Sequence, residues 1–236
     1  MSQLELASVA GVSSRHLSFI ETGRARPSRE MVVHLAEQLD VPLRHRNDLL
    51  TAAGFAPLYR ETPLTAPEMD AARAAIDRIL AGHPFPAIAV DRHWDVVNAN
   101  DAAFALVESV DPAVLGPPLN VYRVSLHPDG LQSKIVNFEE YAAHMLDRLQ
   151  QQVVASADPE LAELLEEMHG YVGDLPPSIH VPTAQVLLPM RLRMGDHVLS
   201  LMSTISVFGT PVDITLAELA LELFFPADAE TAALLG

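Results

Sequence analysis

Ser14, Arg15, Ser18 and Phe19 stand at helical spacing in the stretch SSRHLSFIE, so one side of a helix carries all four. An arginine forks onto a guanine edge, serine hydroxyls bond either base edge, and a phenyl ring rests on a thymine methyl. Gln3 and Ser13 stand at helix starts, where side chains reach phosphate oxygens. Arg24, Arg26 and Arg29 follow closely and supply charge for backbone phosphates. A plain helical hairpin with arginines on its wet face accounts for the same spacing.

Little other reactive chemistry is offered. Ten His and no Cys remove disulfides, thiol nucleophiles, iron–sulfur clusters and thiolate zinc sites. The sequence has no H-E-x-x-H, and no close His pair joined to carboxylates at ligand spacing. His93 lies between Asp91 and Asp95 in DRHWD, where a solvated strand turn explains all three. Walker, G-x-S-x-G and G-x-G-x-x-G motifs are missing. The carboxylates of LAELLEEMHG read as an exposed acidic face. No enzyme, metal site or cofactor is expected.

Charge divides the chain. The net charge of −16 argues against nucleic acid if taken whole. Yet residues 1–60 hold seven Arg against six Asp or Glu, while the rest holds 8 basic and 25 acidic residues. That contrast predicts two domains with different jobs. With 49% apolar residues a packed core is expected. No apolar run reads as a membrane span, and no basic-then-apolar leader opens the sequence, so a cytoplasmic location without membrane association is expected.

Short helices must position the first group. Ser2 caps one to about Val9, and Ser13 caps a second from Ser14 to about Thr22, with Gly11 and Gly23 as stops. Leu6, Ala7, Val12, Leu17 and Ile20 fall where these two helices pack. Ser28 opens a third, amphipathic helix through Leu39, and Leu43 to Ala53 gives a fourth. The stretch APLYRETPLTAP (56–67) reads as a linker, and a helix is expected over 68–80.

Beyond residue 85 the pattern changes. FPAIAVDRHWDVVNAN (85–100) reads as strand, turn, strand, with Asn100 or Asp101 capping a short helix. Residues 116–130 read as loop, helices are expected over 138–155 and 159–169, and 170–182 is loop again. QVLLPMRLRMGDHVLSLMSTISVF places two strands about a Gly195-Asp196 type II′ turn. Its register pairs Leu192 with Leu199, Met190 with Leu201, Leu188 with Ser203 and Val186 with Ile205 on one apolar face. Arg191, Arg193, Ser200, Thr204 and Ser206 share the other face, and Pro189 fits an edge. A last helix is expected over 216–225, followed by a tail (227–236) that is either disordered or packed on a dimer partner.

SQLELA…AGVSSRHLSFIETGRARPS resembles the DNA-binding domain of the XRE/Cro–C1 repressor family in its SQ-x-x-LA start, GVS turn, IE-x-G end and RxPS exit. The resemblance implies five helices, with 14–22 as the recognition helix. The family's first helix would precede Met1, and a true start upstream of Met1 is the favoured expectation. Residues 85–104 resemble the opening of a PAS-type sensor domain. PAIAVDRHWDVVNAN, HPDGL, IVNFEEYAAHML and FGTPVDITLAELALELFFPAD together resemble the ligand-binding domain of MmyB-like transcription regulators. That family joins an XRE head to a PAS-like domain, and the resemblance covers essentially the whole chain.

The expected fold class is α+β. A helix-turn-helix head (1–55) and a linker (56–67) precede a PAS-like antiparallel sheet domain packed by helices (68–226). The resemblance implies a regulator that binds a double-stranded DNA operator as a homodimer and senses a small lipophilic, fatty-acid-like effector. DNA contacts are expected from Gln3, Ser13, Ser14, Arg15, Ser18, Phe19, Arg24 and Arg26. A ligand pocket is expected from Trp94, Phe104, Tyr122, Phe138, Tyr141, His144, Met145 and Phe208, although plain core packing explains each as well. Arg123, Arg191, His127 and His144 are candidate polar anchors. One alternative is a sensor or interaction module whose head is disabled by loss of its first helix. A hydrolase on the sensor domain is the weakest reading.

Overall fold

The computed structural model describes residues 2–173, 175 and 188–236. They fall into two compact units, Met1–Asp70 with Phe208–Glu218, and Ala71–Val207 with Leu219–Gly236.

Four consecutive helices open the first unit. In α1 (Gln3–Val9) the Ser2 hydroxyl accepts from the Glu5 amide, while the Glu5 carboxylate accepts from the Ser2 amide. This reciprocal cap satisfies two orphan donors of a helix only two turns long. Gly11 turns the chain at φ +63°, a conformation that only glycine adopts without cost. Ser13 then caps α2 (Ser14–Glu21), and Ser28 caps α3 (Arg29–Gln38). A cap of this kind contributes about 0.5–2 kcal/mol. Ala7 and Leu17, each 2% exposed, form the seam between α1 and α2. His34 of α3 donates from Nε2 to the Ala10 carbonyl over 2.8 Å and so braces the turn.

α4 (Leu43–Ala52) buries Leu50 completely. Its Asn47 holds the segment that follows, accepting from the Leu58 and Tyr59 amides and donating to the Tyr59 carbonyl. Phe208–Glu218 belongs to this unit, although its ends continue into strands of the other.

A short 3₁₀ turn, Pro67–Met69, in the first unit runs into α5 (Asp70–Gly82), with which the second unit begins at Ala71. Strands β1 (Ala87–Val90) and β2 (Val96–Ala99) follow. Asn100 caps α6 (Asp101–Val107), accepting from the Ala103 amide. Asn120 caps α7 (Val121–Leu126), which lies inside the stretch expected to be loop. Six residues carry too few apolar repeats to announce a helix. Tertiary burial of Tyr122 and Leu126, 1% and 0% exposed, supplies what periodicity does not. The turn His127–Gly130 packs on α7: the Leu131 amide donates to the Val124 carbonyl. A Cβ on Gly130 would come within 2.4 Å of that same oxygen.

Two long helices, α8 (Phe138–Ser156) and α9 (Pro159–Val172), pack on each other and enclose Leu149 and Met168. The hairpin β3 (Met190–Met194) and β4 (His197–Val207) keeps the expected register, with Met190 opposite Leu201 and Leu192 opposite Leu199. Gly195 alone takes positive φ in the turn (+58°), as type II′ requires. Pairing stops at Met190, so Leu188 stands outside the strand, and Val186 lies outside the described residues.

The expected helix over 216–225 is replaced by a short helix α10 (Ile214–Ala217) in the first unit and strand β5 (Ala220–Pro226). A brief apolar run does not distinguish helix from strand. Two strand partners decide it, because β5 pairs with β1 on one side and β4 on the other. The sheet order is β2-β1-β5-β4-β3, entirely antiparallel. The fold is thus α+β, a helical head with a PAS-like sheet domain.

Residues expected to be a tail, either disordered or packed on a dimer partner, form α11 (Ala229–Leu235), capped by Asp228. It packs on β4 and β5 of its own chain, and the Ser200 amide donates to Thr231 Oγ1 over 2.8 Å. Ser200, on the hairpin face that also carries Arg191 and Arg193, is therefore buried.

Candidate functional site

The first unit presents one candidate surface on α2. Arg15 is exposed, while Ser14, Ser18 and Phe19 are half-buried on the same helix. The Arg15 guanidinium lies over the Phe19 ring at 5.2 Å and that of Arg24 at 6.0 Å. The ring thus holds two cations near one end of α2. Ser13 Oγ accepts from the His16 amide, which leaves its own proton free to donate.

Ion pairing sorts the arginines. Arg44 is bound by Glu61 and Glu218, and Arg46 lies 3.7 Å from Glu37. Arg15, Arg24 and Arg26 are exposed and carry no ion pair among the described residues. These three keep their charge for a polyanion. Arg29 is half-buried, with its Nε sealed and without a hydrogen-bond partner among the described residues. The Gln3 amide donates to the Glu21 carboxylate, so it ties α1 to α2. His34, which sequence reasoning missed, fixes the turn that sets the angle between them.

The second unit contains an apolar cavity against one face of the sheet. Its cavity volume is about 80 Å³, below the usual range for a small-molecule site. Ile88 of β1, Val96 of β2, Phe104 of α6, Val121 and Val124 of α7 and Phe224 of β5 line it. Tyr141 and Met190 close one wall, and that wall is shared with a second, more polar chamber.

That chamber brings together Trp94, Tyr122, His144, Met145, Arg148, Ser203 and Glu222. Trp94 sits at φ +67°, a left-handed conformation that costs a bulky residue about 1–3 kcal/mol. Its surroundings hold it there. Asp91 Oδ1 accepts from the amides of His93 and Asp95 on either side, and Trp94 Nε1 donates to Gln152 over 2.7 Å. The Arg148 guanidinium stacks on the indole at 4.0 Å, and Tyr122 meets it edge-on. Glu222, 5% exposed in β5, accepts from Ser203 Oγ over 2.7 Å. Burial pushes its carboxyl above the ordinary range, against the Ser203 bond and the Arg148 charge.

Six of the eight residues expected to form a pocket line these two cavities: Trp94, Phe104, Tyr122, Tyr141, His144 and Met145. Phe138 packs into the core beside them, and Phe208 belongs to the first unit and lines neither cavity. Three expected anchors are placed elsewhere. Arg123 forks onto Glu167, His127 packs against Tyr171, and Arg191 is exposed on β3. Arg148 and Glu222 went unforeseen. The available signal was a single acidic residue inside the apolar run LALELFFP. Among the described residues no cluster of His, Cys, Asp or Glu could hold a metal ion. No helix among them is long and apolar enough to cross a membrane.

Comparison with known proteins finds a family for each part of the chain. The family model described as MmyB-like transcription regulator ligand binding domain matches residues 72–236, and that described as helix-turn-helix matches residues 1–45. Both are regulatory domains. No curated protein matches the chain. A solved structure described as an RNA-binding light-oxygen-voltage receptor aligns over 99% of this chain and 54% of its own, at 15% identity and a TM-score of 0.32. The chain spans about half that receptor's length, and so loose a likeness says nothing of RNA or light here.

Proposed function

The chain belongs to the MmyB-like transcription regulators, and from that premise we infer that its ligand-sensing domain binds a small lipophilic effector, fatty-acid-like in its alkyl chain, and thereby sets DNA affinity. One observation carries this reading. A single chain combines exposed arginines without ion pairs on and beside α2, flanked by half-buried Ser14 and Ser18, with a cavity lined by apolar side chains. Arg15 with Ser14 and Ser18 faces base edges, while Arg24 and Arg26 neutralise phosphates. The chain acts in the cytoplasm as a homodimer, reading two half-sites about one helical turn, roughly 34 Å, apart. Effector binding shifts the population between head spacings that fit the operator and those that do not.

Fluorescence anisotropy with the promoter DNA upstream of its own gene tests this. Affinity should fall with salt at a log–log slope of about −0.9 per phosphate contact. Arg24→Ala should reduce that slope by about 1, whereas Arg15→Ala should cost about 1–3 kcal/mol and relax sequence preference. Decanol or decanoate should change the affinity. Alkyl ligand binding with no salt-dependent DNA affinity would replace this reading by a ligand-binding module that does not read DNA.

A further inference from the structure

The polar chamber has a property the apolar cavity lacks: two buried hydrogen-bonding groups left only partly used. Glu222 lies in the central strand, where a carboxylate is costly unless donors surround it. Ser203 is the single hydrogen-bond donor it has among the described residues, and that bond goes to Oε1. Arg148 stands 3.9 Å from the same oxygen, too far for a hydrogen bond, because its guanidinium is laid on the Trp94 ring. Tyr122 is 1% exposed, and its hydroxyl has no partner among the described residues. Both groups line the same chamber, which shares Val121, Tyr141, Met190 and Phe224 with the apolar cavity.

Charge decides what fits. Arg148 and Glu222 balance each other, so the chamber is near neutral with the ion pair intact. A carboxylate entering it would face Glu222 as a like charge, and Arg148, the one Arg or Lys among the described residues that line it, is already engaged with an indole. A hydroxyl or primary amide brings a donor for Glu222 and a partner for Tyr122 Oη, with no net charge to desolvate. We propose that this chamber binds the head of an amphiphile and selects a neutral, hydrogen-bond-donating head, an alcohol or primary amide, over a carboxylate, with Glu222 and Tyr122 as the specificity-determining residues. The proposal rests on the reading that the adjoining cavity takes the alkyl chain.

Trp94 is the only tryptophan and forms part of the chamber wall, so its fluorescence reports occupancy directly. The full chain is titrated with 1-decanol, decanamide and decanoate at pH 7.5, with equilibrium dialysis as a second readout. The alcohol and the amide should bind at least about tenfold more tightly than decanoate. Glu222→Gln, which keeps an acceptor for Ser203, should weaken decanol and strengthen decanoate, closing most of the gap. Tyr122→Phe should weaken decanol several-fold and leave decanoate unchanged. Equal binding of all three, or decanoate binding most tightly, overturns the head-group proposal and leaves the lipophilic reading standing. No binding of any of the three defeats the alkyl-chain reading itself, and this proposal with it. The wild-type ranking decides even where a variant fails to fold.

Discussion

Replacing Tyr122 by Phe separates stability from ligand recognition at one atom. The Tyr122 ring meets Trp94 edge-on with centroids 5.5 Å apart, and a Phe ring keeps that packing. The hydroxyl has no hydrogen-bond partner among the described residues. Burial holds its pKa well above the ordinary phenol value, so it stays neutral throughout the physiological range. A buried hydroxyl without a partner costs about 1–3 kcal/mol. Phe removes that cost and breaks no bond. The ligand-free variant should therefore be more stable by about 1–2 kcal/mol, the ring packing being retained. In a chain of this size that raises Tm by about 2–8 °C. Circular dichroism melts supply the first measurement, and a urea titration the second. The urea midpoint should rise with an unchanged slope, since neither state changes its exposed surface. A Tm that stays level or falls would refute the reasoning, because the hydroxyl must then be bonded in the native state. The accompanying loss of decanol affinity marks the hydroxyl as a group kept for binding at the expense of stability.

Three other perturbations test the frame around the sites. Arg44 donates to Glu218 from Nε and Nη2 over 2.7 and 2.8 Å and also to Glu61. Because it remains a quarter exposed, Arg44→Ala should destabilise the first unit by about 1–2 kcal/mol, less in 1 M salt, as urea unfolding at two salt concentrations would show. Asp158 accepts from Arg92 at 2.7 Å and from the Glu160 amide at 3.0 Å, with His93 Nε2 at 3.1 Å. Burial raises its pKa, but these bonds and charges outweigh it and hold the folded value below the unfolded one. Its stabilisation is therefore present above the unfolded pKa and lost as pH falls through the folded one. Asp158→Ala should cost about 1–2 kcal/mol at pH 7, and the gap to wild type should close below about pH 3 in a pH series of melts. At Gly130 an added Cβ would meet the Val124 carbonyl at 2.4 Å, so Gly130→Ala should lower stability by about 1–3 kcal/mol in thermal melts.

Local chemistry made much of the molecule legible. Ser2, Ser13, Ser28 and Asn100 cap helices where their side chains stand within a residue or two of the first turn. Gly195 and Asp196 set the β3–β4 register because a two-residue turn admits one pairing. Six of the residues named for their aromatic, Met or His character and their place in the chain line the two cavities, carried there by helices α6, α7 and α8 and the β1–β2 turn. What failed was non-local. The run ALELFF is equally apolar as helix or strand, and only β1 and β4 on either side make it the middle of a sheet. α7 is too short to announce itself and exists because Tyr122 and Leu126 are buried.

The sequence by itself determined where helices start, how one hairpin pairs, and that a nearly neutral, arginine-bearing head precedes an acidic body. Each of these depends on neighbours within a few residues or on summed charge. Tertiary structure alone decided which arginines remain free, since Arg44 and Arg46 are claimed by Glu61, Glu218 and Glu37 while Arg15, Arg24 and Arg26 stay exposed. It alone brought Tyr122 of α7, Arg148 of α8 and Glu222 of β5 into one chamber. A carboxylate becomes a recognition group there because folding removes water from it and supplies only part of what water gave.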